Sequence, residues 1–230
     1  MNRRSMLAVL TSAAAARLRA SDEAARLKAT RAVLDAVPLA ESDPERPVYH
    51  FRPPASWTND PNGTIYYKGW HHLFYQLNPF AARLGNQHWG HARSRDLVNW
   101  EHLPIAICPS EDKGEKAIYS GGAVLAADGQ PRLLYTSIGK PEPEQWLAMP
   151  AGDELLVWEK FPGNPVVSQA NHIAGPIAQW RDPFLFKKDG ATYMVCGGAS
   201  AAGRAQVQLY RATKGDLTEW KHLGAIFQSI

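Results

Sequence analysis

From Tyr49 onward, apolar residues come in short runs rich in Tyr, Phe, Val and Leu, broken at close intervals by turn pairs. The pairs Asn62-Gly63, Lys68-Gly69, Asp128-Gly129 and Asp189-Gly190 suit tight turns between antiparallel strands. This spacing predicts an all-β body. The first 48 residues read differently: they hold no aromatic residue and no glycine, whereas all 18 glycines follow. A charged start at Met1-Asn2-Arg3-Arg4 leads into an apolar run through Ala16, and no acidic residue precedes Asp22. That is the layout of an export leader over residues 1–20, and Arg3-Arg4 resembles a twin-arginine signal. Residues 21–46 predict a short polar helix entering a linker that contains Pro38 and Pro44. The body occupies residues 47–230.

The body repeats itself. Asp96-Leu-Val-Asn-Trp100-Glu-His-Leu103 recurs as Asp216-Leu-Thr-Glu-Trp220-Lys-His-Leu223, with a weaker copy at Leu155-Leu-Val-Trp158 halfway between. A second landmark keeps step: Asp60, Ser120 and Asp182 each precede the Trp of their unit by about 40 residues. Between the landmarks each copy has a strand, a Gly turn and a second strand, ending at Phe74-Tyr75, Leu134-Tyr135 or Met194-Val195. Units of several strands at a fixed period of about 60 residues point to a β-propeller, since WD40 and kelch periods are shorter at about 40–50. An immunoglobulin-like sandwich, the rival all-β fold, needs no such self-similarity. About three units fit in 230 residues, fewer than the four to eight blades of closed propellers. The sequence therefore reads as truncated.

Composition narrows the picture further. Hydrophobic residues at 45% and charged residues at 20% exclude wholesale disorder, and no apolar run reaches the roughly 18 residues of a membrane span. The formal charge of +3 is concentrated in the leader: losing Arg3 and Arg4 alone lowers it to +1. No basic stripe supports nucleic-acid binding. Cys108 and Cys196 make no disulfide framework; a single bridge in an exported protein and two buried small hydrophobes both remain open. His71-His72 and His88-Trp-Gly-His91 lack a carboxylate or Cys partner at ligand spacing, so hydrogen bonding within the blades is expected instead of metal binding.

In a propeller the first strand of each blade lines the central channel. Asp60, Ser120 and Asp182 hold one place in their units, so all three are expected to face one cavity. Two carboxylates converging from different blades suit glycoside hydrolysis. Trp57, Trp89 and Trp180 can present apolar faces to a sugar ring, and Asn59, Gln76 and Arg181 offer donors. The bland alternative is that Asp60-Pro61 and Asp182-Pro183 are turn residues.

The stretch His50-Phe-Arg-Pro-Pro-Ala-Ser-Trp57-Thr-Asn59-Asp60-Pro61-Asn62-Gly63 closely resembles the opening motif of glycoside hydrolase family 32, the invertases, levanases and inulinases. The likeness continues in order through Leu73-Phe-Tyr-Gln76, His88-Trp89-Gly-His91, Arg95-Asp-Leu-Val-Asn-Trp100, Tyr119-Ser120-Gly121-Gly122, Pro162-Gly-Asn-Pro165 and Trp180-Arg181-Asp182-Pro183, covering about residues 48–230. It implies a five-bladed β-propeller followed by a β-sandwich, and retaining cleavage of β-fructofuranosyl bonds in sucrose or fructans. By motif, Asp60 matches the nucleophile and Asp182 the transition-state stabiliser that binds the fructose ring hydroxyls. Asn59, Gln76, Trp89, Ser120 and Arg181 match positions holding the fructosyl unit, flanked by Trp57 and Tyr119. No cofactor, metal or nucleic acid is implied, nor a membrane once the leader is removed, and the leader makes the protein secreted or periplasmic.

Two small departures are Gly122, where the family more often has Ser, and Thr58, where Met or Ile is common. A larger one concerns the general acid/base, a Glu directly before a Cys: here Cys108 follows Ile107 and Cys196 follows Val195. Glu142, Glu144, Glu159 and Glu219 read as solvated and do not replace it. The 230 residues alone are therefore expected to be inactive on sucrose. Two rivals stand beside this reading: a propeller glycosidase acting on arabino- or xylo-glycans, and a non-catalytic sugar-binding fragment.

Overall fold

Three four-stranded sheets follow one another along the chain in this computed structural model, which describes residues 3–173 and 175–230, with side chains described from Asp22 onward. A helix, α1 (Arg3–Glu41), comes first; the side chains of the predicted export leader lie outside the described residues. Blade I is β1 (Trp57–Tyr67), β2 (Trp70–Asn78), β3 (His88–Ser94) and β4 (Trp100–Ile107). Blade II is β5 (Ala117–Leu125), β6 (Pro131–Ile138), β7 (Glu144–Pro150) and β8 (Trp158–Lys160). Blade III is β9 (Ala178–Lys188), β10 (Ala191–Ala199), β11 (Ala205–Ala212) and β12 (Trp220–Gln228). Each sheet is an antiparallel meander paired in chain order, and the blades are consecutive. These are three propeller blades of the predicted all-β kind.

Period-2 alternation explains why the middle strands are apolar on both faces. In β2, Leu73, Tyr75 and Leu77 turn one way and Phe74 the other; in β6, Leu133 and Tyr135 oppose Leu134. Phe74 and Trp89 of blade I pack with Ile118, Leu133, Tyr135 and Trp146 of blade II. Leu134 and Leu147 of blade II pack with Trp180, Leu185, Met194 and Tyr210 of blade III. Fully burying an aromatic or branched side chain contributes on the order of 1.5–3 kcal/mol, so these two seams dominate the stability.

The Trp repeat marks a turn. Trp100, Trp158 and Trp220 each donate the indole N–H to the carbonyl three residues back, on Leu97, Leu155 and Leu217, at 3.2, 2.9 and 2.9 Å. Those leucines all have positive φ, 63°, 55° and 67°. Asp96 supports the first copy by accepting from the Val98 and Asn99 N–H groups, and Asp216 supports the third through Thr218. The shared motif is thus a local hydrogen-bonded turn that starts each outer strand. One landmark shifts: Phe184 pairs with Val195 as Asn62 does with Phe74, so Val195-Cys196 replaces Met194-Val195 as the third copy.

Other expectations change in the fold. The helical part of segment 21–46 is seated on the body. Ala29 and Val33 of α1 are buried against Leu73, Tyr75 and Ile105 of blade I, and Thr30 Oγ1 accepts from the Ile105 N–H at 3.3 Å. Glu144 is not solvated: its side chain is 15% exposed, pairs with Lys140 at 2.9 Å and accepts from Trp146 Nε1 at 2.8 Å. Cys108 and Cys196 are free thiols buried in different clusters. Among the described residues no helix is long and apolar enough to cross a membrane, and no group of three or more His, Cys, Asp or Glu could hold a metal. His72 and His91 instead meet each other, Nδ1 to Nε2, at 3.0 Å.

A buried ion pair ties blade II to the β4–β5 connection. Lys160 Nζ reaches the Glu115 carboxylate, the Cys108 carbonyl at 2.5 Å and Ser110 Oγ at 2.8 Å. Removing one partner strands a buried charge, so Lys160→Met should cost about 3–5 kcal/mol in urea unfolding. A second expectation concerns pH. Burial lowers His72, His88 and His172 from 6.5 to about 4 each. The fold holds them neutral, so their contribution is complete above the unfolded value and is lost as pH falls from 6.5 towards about 4. Thermal midpoints measured across that window should decline; a flat profile contradicts the assignment.

Candidate active site

Asp60, Ser120 and Asp182 lie in the inner strands β1, β5 and β9, not in turns, and each sits in a β-bulge. Between the pairs Thr58–Leu77 and Pro61–Tyr75, Asn59 and Asp60 oppose the single residue Gln76. Between Ile118–Ser137 and Gly121–Tyr135, Tyr119 and Ser120 oppose Thr136. Asp182 and Pro183 oppose Cys196 in blade III. A bulge bends the strand and re-aims its side chains, and it tolerates a proline that a regular ladder would not. The Asp-Pro pairs therefore mark bulges.

The inner strands approach closely. A Cβ on Gly121 would come 2.1 Å from the Leu134 carbonyl oxygen, and one on Gly122 would come 3.2 Å from the Pro183 carbonyl oxygen of the next blade. Glycine at 121 lets the bulged strand lie close on β6 of its own blade, and glycine at 122 lets it approach blade III. Asn62 closes the first boundary, its Oδ1 accepting from the Gly121 N–H at 3.2 Å.

These constraints bring four of the sequence-selected residues into one relay. Asn59 Nδ2 donates to Gln76 Oε1 at 3.4 Å, and Gln76 Nε2 donates to Ser120 Oγ at 3.0 Å. Ser120 Oγ in turn donates to Asp60 Oδ2 at 2.6 Å. The last bond crosses from blade II to blade I and is charge-assisted. Asp182 stands on blade III with Arg181 Nε 3.3 Å from its Oδ2. Burial raises its carboxyl above the ordinary value; the Arg181 charge opposes the rise and the Asp60 charge adds to it. Three blades thus present a hydrogen-bonded carboxylate, a second carboxylate that feels its charge, and a guanidinium.

Trp57 is half-buried at the start of β1 and Tyr119 is half-buried in the blade II bulge. Trp89 and Trp180 differ from their expected pose. Both are fully enclosed, Trp89 in the seam between blades I and II and Trp180 against His172 and Tyr210. Neither ring offers a free face here; Trp89 acts on the site through Nε1, which donates to the Tyr119 carbonyl at 3.1 Å. A cavity of about 430 Å³ lies at the outer rim between α1 and blades I and II, away from the carboxylates.

Two residues escaped the sequence reading, Thr136 and Gln145. Thr136 Oγ1 accepts from the Asp182 N–H at 2.9 Å and donates to Gln145 Oε1 at 2.9 Å. The available signal was the repeat: Thr136 follows Leu134-Tyr135 as Gln76 follows Phe74-Tyr75.

Fold and site together define a class: a β-propeller that gathers carboxylates at the inner edge of its blades. Residues 50–230 match the N-terminal domain of glycosyl hydrolases family 32, and the chain belongs to that family. It is 40% identical over 203 residues to a beta-fructofuranosidase, insoluble isoenzyme 2, of Oryza sativa subsp. indica, covering 84% of this chain and 33% of that one. A solved beta-fructofuranosidase of Bombyx mori superposes with TM-score 0.77 at 38% identity, over 90% of this chain and 43% of that one. A fructan 1-exohydrolase of Cichorium intybus, solved with 1-kestose, superposes with TM-score 0.70 at 36% identity, over 78% of this chain and 34% of the other. The chain spans about a third of the length of the curated plant relatives it matches.

The raised Asp182 carboxyl has a consequence for stability. Its protonated form is favoured by the fold, so its ionisation weakens folding as pH rises through the native value. Asp182→Asn should raise the thermal midpoint at pH 7, and the gain should vanish in acid; a lower midpoint at pH 7 contradicts this.

Proposed function

We propose that this protein is the N-terminal part of a retaining glycoside hydrolase that cleaves β-fructofuranosyl bonds in sucrose or fructans. The observation that carries the reading is the 2.6 Å bond from Ser120 Oγ to Asp60 Oδ2, backed by Gln76. It fixes one carboxylate oxygen and leaves the other, Oδ1, for attack at the anomeric carbon of fructose. Attack forms a fructosyl ester on Asp60 while the leaving alcohol takes a proton from a general acid. Asp182 binds the ring hydroxyls as positive charge develops on the sugar, and Arg181 and Asn59 orient the same unit. Trp57 and Tyr119 flank it, and Trp89 supports it from behind. The named relatives lend support: a Bombyx mori beta-fructofuranosidase variant was solved with sucrose, and the Cichorium intybus enzyme with 1-kestose.

The general acid/base that the family resemblance implies, a Glu preceding a Cys, is not among the 230 residues. General acid catalysis is worth roughly 10²–10⁴-fold, so these residues alone should turn over sucrose slower by about that factor. Residues 1–20 direct export to the periplasm or the exterior.

A fructosyl donor whose leaving group needs no protonation separates the roles. With β-fructosyl fluoride the C–F bond breaks, fluoride departs, and the Asp60 carboxylate closes an ester that no general base hydrolyses. Intact-mass and peptide analysis should show one fructosyl residue on the peptide containing Asp60, and none after Asp60→Ala. Labelling that survives Asp60→Ala, or an unlabelled parent protein, overturns the nucleophile assignment.

A further inference from the structure

Asp182 is held in an uncommon backbone conformation. Its φ is 63°, in the left-handed region, a strained conformation for a non-glycine residue that persists only where the surroundings enforce it. The enforcement is visible across the blade boundary. The Asp182 N–H donates to Thr136 Oγ1, on the face of β6 that points to blade III. Thr136 has no exposed surface. Its one hydroxyl proton goes to Gln145 Oε1, which leaves the oxygen lone pairs for the Asp182 N–H.

Gln145 sets that direction rigidly. It lies directly opposite Thr136 in the β6–β7 ladder and is fully buried. Its own N–H donates to the Val167 carbonyl at 2.9 Å, and its carbonyl accepts from the Val166 N–H at 3.0 Å. The β-branched Thr136 has a stiff χ1, so neither end of the pair can turn freely. The arrangement parallels the preceding boundary, where Gln76, opposite the blade I bulge, reaches Ser120 on blade II. Thr136, opposite the blade II bulge, reaches Asp182 on blade III.

We propose that Thr136 and Gln145 are positioning residues that lock the Asp182 backbone in its left-handed bulge, and so aim the Asp182 carboxylate at the sugar. The aim at a sugar rests on the fructosidase reading; the lock does not. Replacing the hydroxyl with a methyl would take the partner from the Asp182 N–H and leave the buried Gln145 Oε1 without one, and the Gln145 Nε2 already has none.

The test compares the parent protein with Thr136→Val and Thr136→Ser by amide hydrogen exchange and by fructose titration, both followed by NMR. Loss of this hydrogen bond should speed Asp182 amide exchange about ten-fold in Thr136→Val, while the serine variant stays close to the parent. Fructose affinity should fall in the valine variant and recover in the serine variant, which a general loss of stability would not reproduce. Should the valine variant not fold, Thr136→Ala removes the hydroxyl without adding volume and gives the same readout. Unchanged Asp182 exchange, or equal acceleration of all blade III amides, overturns the lock. Affinity unaltered in the valine variant overturns the aiming role. If the parent protein takes up no fructose, the sugar-binding reading of Asp182 fails, and the exchange data still decide the lock.

Discussion

Burial of one sheet face on the next is the constraint from which the remaining geometry follows. Each four-stranded sheet is apolar on the face it turns to its neighbour, and the seams are filled by large rings: Trp89 and Trp146 in one, Trp180 and Tyr210 in the other. Protein interiors pack densely, so these side chains fix the angle between successive blades. Once that angle is fixed, the inner strands converge. Gly122 stands at that convergence, where a Cβ would come 3.2 Å from the Pro183 carbonyl oxygen of the next blade.

Convergence alone would not aim a carboxylate. A regular strand sends alternate side chains into the seams, and a residue at the inner edge needs a bulge to turn away from them. All three blades carry that bulge at the chemistry-bearing residue. Bulges leave backbone groups outside the ladder, and the neighbouring blade supplies the partners: Asn62 for Gly121 and Thr136 for Asp182. Polar bonds between blades lie at these bulges and also away from them, as in the Lys68–Asp153 and Arg93–Glu154 pairs, while apolar contact fills the seams. The site also has a cost. Asp182 is raised by burial and strained in its backbone, which is the usual relation between a functional group and the scaffold that tolerates it.

Much of this was legible in the chain. The 60-residue repeat requires a fold of repeated units, and runs such as Leu73-Phe-Tyr and Leu133-Leu-Tyr require strands covered on both sides. The equal placement of Asp60, Ser120 and Asp182 within the repeat already put them at the bulges of the inner strands, within one residue of a common position. Less legible were the roles of Trp89 and Trp180, because the side of a strand that faces a seam depends on how sheets pack. The Lys160–Glu115 pair joins residues 45 apart in the chain, and no local pattern marks it. A helix within residues 21–46 was legible, yet its seat on blade I depends on Ala29 and Val33 meeting a face that only the folded blade creates.

The sequence by itself determined the strand pattern, the blade repeat and which residues share a place in it, because these depend on side-chain alternation and turn chemistry within tens of residues. Only the tertiary structure decided that Ser120 reaches Asp60, that Thr136 holds Asp182, and that two of the candidate tryptophans are walls. The Ser120–Asp60 and Thr136–Asp182 hydrogen bonds join residues 60 and 46 apart, and their geometry exists only once two sheets have been packed face to face.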